Sequence, residues 1–488
     1  MERFRRIGTV KPFTAQEIPH SRLGIGFEKL DRDVFDPENA YDPVSKLGVK
    51  WVRIQSGWER TEKTRGVYDF AWIDSIVDNL IRRGLKPWVC LCYGNPLYSE
   101  NAKITFGSVG IAPVRNDDQK QGWANYVRAT VAHFRGRVDW FEVWNEPDWC
   151  WRDFDPATGK NEHVPSGTEY GEFLVATSAA VRSANPDAKV IGGCFCGFDR
   201  LHWLADVMRV PGAPEAMDAF SYHDYHTDER QASDRNDAVR ALVRRYCPDM
   251  KFIQGETGTQ SDSRGCGALQ KMAWTQLKQA KFLARHTIME LLDDVFFTSY
   301  FSSLDMIEAL HGKVGDLASY LDFGYFGVLG AEFDAEGRAT GTYTPKKSYY
   351  ALRNVCSLFR GDFTRCDLPI GAGWGFPDRR QRYNRPYEPL CDLMSGGFQR
   401  PDGSCAFVYW KPTDLLTTTW ESDIRLETAD LAGTPRLVDV LDGSVYESPE
   451  SLIGDHGHGN RVFTDLPVRD YPLMLTFGDF AEVEPLKA

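Results

Sequence analysis

Eight short runs rich in apolar, β-branched and aromatic residues recur between Arg22 and Tyr300, and the stretches between them are long enough to hold helices. That alternation is what a parallel sheet built from βα units requires. The runs are Arg22–Leu30, Lys50–Trp58, Lys86–Tyr93, Val138–Glu146, Ala188–Gly193, Met217–Tyr225, Lys251–Glu256 and Asp294–Tyr300. Eight is the number that closes a (β/α)₈ barrel, so the expected fold is an α/β protein built on a TIM barrel. The intervening segments agree. In Trp72–Leu85 the residues Trp72, Ile73, Ile76, Val77, Leu80 and Ile81 recur at helical spacing, and Gly84 follows Arg82-Arg83 as a stop signal. Tyr170–Ser183 repeats the pattern and ends before Asn185-Pro186, and Lys346–Phe359 reads as a last barrel helix.

Past about residue 365 the period changes to that of short strands: Cys405–Trp410, Pro435–Leu441, Ser444–Glu447 and Tyr471–Phe477, with Asp442-Gly443 as a hairpin turn. The expected organisation is a barrel over residues 20–360 and a C-terminal antiparallel β-sandwich over 361–488, joined by the N-terminal residues 1–19. Gly371–Pro386 reads as a linker or long loop.

Composition removes several classes of function. A balance of 57 basic against 69 acidic residues, net −12, gives no footprint for nucleic acid or an anionic membrane. No run approaches the roughly 20 apolar residues of a spanning helix, and the start lacks the apolar stretch of a signal peptide. Eleven cysteines scattered among strand-like runs read as reduced, buried thiols, which points to a cytoplasmic setting. Cys90-Leu-Cys92 and Cys194-Phe-Cys196 lack the further ligands of a metal site, so no metal and no cofactor is expected. Walker, Gly-x-Ser-x-Gly and dinucleotide patterns are missing as well.

In a TIM barrel the chemistry sits where strands end. The fourth run ends Glu142-Val-Trp144-Asn145-Glu146-Pro147, and the proline halts the ladder at Glu146. By alternation Glu142, Trp144 and Glu146 should share a face. The seventh run ends at Glu256, between Gly255 and Gly258. Two carboxylates on strand ends facing one cavity are what glycoside hydrolysis needs: one protonated to give its proton to the leaving oxygen, the other ionised. His223 and Tyr225 close the sixth run on a common face and either line the cavity or, for the histidine, serve structure. Arg53, mid-strand, needs a buried carboxylate partner, for which Glu256 is the candidate. Trp58, Tyr93, Asn95 and Tyr300, at or just past strand ends, are candidate sugar contacts, as are the rings of Trp144, Trp149 and Trp151 beside the motif.

These residues also resemble a family. Phe141-Glu-Val-Trp-Asn145-Glu146-Pro147-Asp148, then Phe220-Ser-Tyr-His223-Asp-Tyr225 and Gln254-Gly-Glu256-Thr, occur in the order found in the Asn-Glu-Pro clan (clan A) of retaining (β/α)₈ glycosidases. The nearest likeness is to family 39, the β-xylosidase and α-L-iduronidase group, with Tyr325-Phe326-Gly327-Val328 and Pro345-Lys-Lys-Ser-Tyr-Tyr350 as further matching segments. The resemblance implies Glu146 as acid/base, Glu256 as nucleophile, Asn145 on the sugar 2-hydroxyl, retention of configuration, and a homo-oligomer. Thr257-Gly258-Thr259 departs from the family pattern and leaves the terminal sugar open. The expected activity is exo-acting hydrolysis of an oligosaccharide or glycoside, since long loops after the fourth and eighth runs are suited to closing one end of a cleft. Two alternatives use the same residues: a non-catalytic carbohydrate-binding barrel, and a transglycosidase.

Overall fold

In the computed structural model the described residues are 1, 3–103, 105–151, 153–154, 161–163, 165–308, 321–374 and 393–486. Eight parallel strands close a barrel: β1 (Leu23–Gly26), β2 (Trp51–Gln55), β3 (Lys86–Leu91), β4 (Trp140–Val143), β5 (Lys189–Phe195), β6 (Ala219–Tyr222), β7 (Lys251–Thr257) and β8 (Phe297–Tyr300). The seam is made by β8 on β1, with Thr298 opposite Leu23 and Tyr300 opposite Ile25. Each strand is followed by a helix of the outer ring: α1 (Tyr41–Ser45), α2 (Ala71–Arg82), α3 (Asp117–His133), α4 (Gly167–Ala184), α5 (Leu201–Arg209), α6 (Glu229–Arg244), α7 (Gln276–Leu292) and α8 (Lys347–Leu358). In α2 the residues turned to the barrel are Ile73, Ile76, Val77 and Leu80, the stripe that the period dictates. Helix α4 starts three residues before the expected Tyr170, because Ser166 and Glu169 form a reciprocal cap.

The N-terminal ends of the strands are filled by aromatic rings. Trp51 stacks on Phe297 at 4.5 Å, Trp88 lies 5.0 Å from Phe297, and Trp140 packs on Phe296 at 5.5 Å. Ile191, Ala219 and Ile253, early in their own strands, complete this plug. A packed lower end is what lets the upper end stay open.

Behind the barrel lie two antiparallel sheets. The larger runs in the order Thr364–Cys366, Met394–Gln399, Cys405–Trp410, Leu473–Phe477, Pro435–Asp439, Ser444–Glu447, Arg5–Val10, Val483–Pro485. The smaller comprises Ile370–Trp374, Glu421–Thr428, Arg461–Arg469 and Ile453–Asp455. Cys405–Trp410 is apolar throughout because both of its faces are covered: Phe407 and Tyr409 point between the sheets, whereas Ala406, Val408 and Trp410 face the barrel helices. A buried ion pair from Lys281 to Asp470 at 2.5 Å fastens the helices to the sheets, and Glu229, paired with Arg285 at 2.6 Å within the helix layer, accepts from the Trp410 indole at 2.6 Å. The N-terminal strand Arg5–Val10 pairs with Ser444–Glu447 and with Val483–Pro485.

One expectation needs correction. Gly371–Trp374, read as the start of a linker, belong to the strand Ile370–Trp374, which is paired along its whole length with Glu421–Thr428; residues 375–386 of that stretch lie outside the described residues. Its glycines hid the strand from a propensity argument, and the pairing comes from a partner about 50 residues away. Among the described residues no helix is long and apolar enough to cross a membrane, and the ten described cysteines form no disulfide.

Candidate active site

At the C-terminal ends of the strands lies a cavity of about 710 Å³ to which all eight strands contribute. Its wall includes Glu28 and Lys29 after β1, Gln55 of β2, Tyr93 after β3, Asn145 and Glu146 after β4, Cys196 after β5, Tyr225 after β6, Glu256 of β7 and Phe301 after β8.

Arg53 organises the floor. Its side chain is fully buried on β2 and donates from Nε to Glu142 at 2.6 Å, from Nη1 to Glu256 at 2.6 Å and from Nη2 to Asn145 Oδ1 at 2.9 Å. A lone buried guanidinium would be expensive, and these acceptors offset that. One cation thereby fixes both the β7 carboxylate and the amide next to the β4 carboxylate. Tyr225 donates to the other oxygen of Glu256 at 2.6 Å. Burial, and then the Glu256 charge, push the Tyr225 phenol upward, so it keeps its proton and remains a donor.

Glu146 and Glu256 converge on His223. Its Nδ1 is 3.0 Å from Glu146 Oε1 and 3.7 Å from Glu256 Oε2, and one oxygen of each carboxyl lies within 4.8 Å of the other. The two glutamates are driven apart in acidity. Burial raises Glu146; the hydrogen bond from His223 offsets part of this, and the Glu256 charge adds to the rise. Burial acts on Glu256 as well, but His223, the Arg53 cation and the Tyr225 hydrogen bond together outweigh it and leave Glu256 below its ordinary value. The site therefore favours one neutral and one ionised carboxyl.

The backbone around Glu146 departs from simple alternation. Strand β4 stops at Val143, and Trp144 (φ 69°) and Glu146 (φ 47°) are left-handed. Glu142 consequently stays on the barrel floor and Glu146 reaches the cavity, but Trp144 is rotated into the helix layer against Trp123, Trp151 and Phe173. Asp148 holds the turn: it accepts from the Cys196 backbone N–H at 3.2 Å, and Arg200 donates to its carbonyl at 2.5 Å.

Of the proposed sugar contacts, Asn145, Tyr93, Tyr225 and Trp149 are on the cavity wall, and His223 reaches it through Glu146. Trp58, Asn95 and Tyr300 are not among the described wall residues. Gly57, left-handed at φ 58°, starts a helical turn that carries Trp58 outward into a stack with Tyr98 and Tyr126. Asn95 ties the following loop by donating to the carbonyls of Trp58 and Glu62. Tyr300, opposite Ile25 in the barrel wall, donates to the Thr259 carbonyl at 3.4 Å. Trp151 is likewise buried, against Tyr170 and Phe173.

Several wall residues escaped the sequence reading: Glu28, Lys29, Arg32, Gln55, Cys150, Cys196, Glu308 and Phe326. Glu28 and Lys29 obey the same strand-end rule as Glu146 and Glu256, since they follow directly on β1. Cys196, read as a buried thiol, is half-buried on the wall beside Asp148. His223, Glu146 and Glu256 also have metal-ligand spacing, the one such group of three among the described residues. In this arrangement His223 is hydrogen-bonded to Glu146 while Glu256 takes hydrogen bonds from Arg53 and Tyr225, and a cation would require Glu146 to give up its proton.

Known proteins resemble this chain in sequence over part of its length and in fold over nearly all of it. The model of glycosyl hydrolases family 39 matches residues 43–247. A beta-xylosidase of Geobacillus stearothermophilus is 28% identical over 206 residues, covering 37% of this chain and 37% of the relative. One of Caldicellulosiruptor saccharolyticus is 28% identical over 200 residues, covering 38% of each. The matched part thus spans less than two fifths of either relative's length. In fold, a family 39 glycoside hydrolase from Bacteroides cellulosilyticus superposes with a TM-score of 0.61 at 17% identity, covering 93% of this chain and 80% of that one. A monomeric beta-xylosidase from Caulobacter crescentus gives 0.58 at 18% identity, covering 99% and 98%.

Proposed function

We propose that this chain, family 39-like among the clan A glycoside hydrolases, is a retaining exo-glycosidase that removes a terminal sugar by double displacement. The observation that carries the reading is the pair of strand-end carboxyls with oxygens within 4.8 Å of each other and opposite acidities. Retention calls for carboxyls about 5–5.5 Å apart, whereas inversion needs roughly 6.5–9.5 Å to admit a water.

Glu256, ionised and aimed by Arg53 and Tyr225, attacks the anomeric carbon. Glu146 gives its proton to the departing oxygen, and the glycosidic bond breaks. The resulting ester carries no charge, so the part of the rise in Glu146 that comes from the Glu256 charge is lost and Glu146 becomes a better base. It takes a proton from water, the hydroxyl adds to the anomeric carbon, and the bond to Glu256 breaks. Asn145, held by Arg53, is placed for the 2-hydroxyl, a contact that strengthens in the oxocarbenium-like transition state.

Exo action is supported by wall residues from both long loops, Trp149 and Cys150 after β4 and Glu308 and Phe326 after β8. The names of the two relatives make a β-xyloside the first substrate to try. The absence of a disulfide among the ten described cysteines favours a reducing, cytoplasmic setting, with short glycosides as the natural substrates.

The test is a panel of aryl glycosides, with the first-formed anomer read by NMR, followed by product analysis on oligosaccharides. Release of single sugars with retained configuration is expected. An inverted first product removes the double displacement, and random internal cleavage removes exo action. Binding without turnover across the panel would favour a carbohydrate-binding barrel instead.

A further inference from the structure

Glu28 is a third carboxyl in the cavity, and the double displacement does not use it. It lies two residues beyond Gly26, the end of β1, and is 1% exposed. Among the described residues neither of its oxygens has a hydrogen-bond partner beyond its own backbone N–H. Buried polar groups are rarely left so, because an unmet acceptor loses its water without replacement.

Its surroundings show a built position rather than an accident of packing. A Cβ on Gly26 would come within 2.0 Å of Glu28 Oε2 and 2.6 Å of Oε1, so the carboxyl occupies the space that only glycine leaves free. The nearest cation does not satisfy it. Arg53 Nη1 is 3.5 Å from Glu28 Oε1 but 2.6 Å from Glu256 Oε2, and the rest of the guanidinium is committed to Glu142 and Asn145. Lys29 is turned to Glu308 at 2.7 Å. Glu28 and Glu256 share one guanidinium nitrogen, so the orphaned carboxyl stands beside the group that meets the anomeric carbon.

We propose that Glu28 recognises a ring hydroxyl of the sugar attached at Glu256, and so selects the sugar's configuration at that carbon. This rests on the glycosidase reading. Chemically, a hydroxyl both donates and accepts. Burial, only partly offset by Arg53 and reinforced by the Glu256 charge, pushes Glu28 up to about 8, so at neutral pH it is a carboxylic acid that also does both.

The experiment compares the parent, Glu28→Gln, Glu28→Ala and Gly26→Ala on the aryl glycoside the parent prefers and on its deoxy analogues at each ring position other than the 2-hydroxyl. The parent should lose on the order of 10–100-fold in kcat/KM at one position, as expected for a buried hydrogen bond to an ionisable group. Glu28→Ala should cleave that deoxy analogue and the full sugar equally well. Gly26→Ala should do the same, because its methyl displaces the carboxyl, while Glu28→Gln should keep most of the discrimination. If Glu28→Ala retains the parent's penalty at every position, or slows all substrates by one common factor, the proposal is overturned while the glycosidase reading stands. A parent that hydrolyses no glycoside overturns both. Unchanged circular dichroism and Tm for the isosteric Gln variant separate recognition from misfolding.

Discussion

The two ends of the same eight strands are opposite in chemistry. The lower end is packed with the rings of Trp51, Trp88, Trp140, Phe296 and Phe297, with Ile191, Ala219 and Ile253 against them. The upper end gathers Glu28, Arg53, Glu142, Glu146 and Glu256, and several of their oxygens are left unmatched. Burying rings stabilises, at about 1.5–3 kcal/mol per large side chain, whereas burying carboxyls near one another destabilises unless cations and donors intervene. The barrel can hold a strained charge cluster at one end because the other end is close-packed. Stability and chemistry are therefore separable, and substitutions should show it.

The largest expected effect is at the top. Glu256→Gln should reduce kcat/KM on the best aryl glycoside by on the order of 10⁴-fold or more with the fold intact by circular dichroism. A residual rate within tenfold of the parent would remove Glu256 from the role of nucleophile. The counterpart at the bottom is Trp88→Ala, expected to lower stability by about 3–5 kcal/mol in denaturant titration and to leave kcat of the folded fraction unchanged. A kcat loss matching the stability loss would show that the two ends are not independent. Glu146→Gln should cost about 10²–10⁴-fold on substrates with poor leaving groups and much less on activated ones, with azide restoring turnover and yielding a glycosyl azide.

The pH profile sharpens the same contrast. Glu256 lies below the ordinary glutamate value of 4.5 and Glu146 above it, so kcat/KM should rise as Glu256 loses its proton on the acid side and fall as Glu146 loses its own on the alkaline side. Glu146→Gln should abolish the alkaline limb for activated substrates; a limb that persists would belong to another group. Smaller still is Trp149→Ala, which removes the exposed ring on the wall and should raise KM by up to about tenfold with Tm unchanged. Trp58→Phe, in the packed layer, should do the reverse and alter Tm alone. Chelation with EDTA should leave the rate unchanged, since His223 is bonded to Glu146 and Glu256 is held by Arg53 and Tyr225.

Much of this could be read from the chain itself, and the misses have particular causes. The strand runs and the stop signals at Pro147 and at Gly255 and Gly258 placed Glu146 and Glu256 at strand ends, because periodicity and backbone breaks are local properties. Trp58 and Trp144 were misplaced because a left-handed residue, Gly57 in one case and Trp144 itself in the other, reversed the direction that alternation predicts. Gly371–Trp374 was misread because its ladder is supplied by a distant strand. The cap at Ser166 and Glu169 extends α4 three residues beyond the start that the apolar pattern gives.

The sequence by itself determined the number of barrel strands and the pair of strand-end glutamates, since these follow from the pattern of apolar residues and from where proline and glycine interrupt it. The tertiary structure decided which tryptophans face the cavity, how one arginine serves three acidic or amide partners, and that Glu28, among the described residues, is left without a side-chain hydrogen bond. Those outcomes depend on distances between residues far apart in the chain and on a few left-handed backbone angles, and neither is written in local composition.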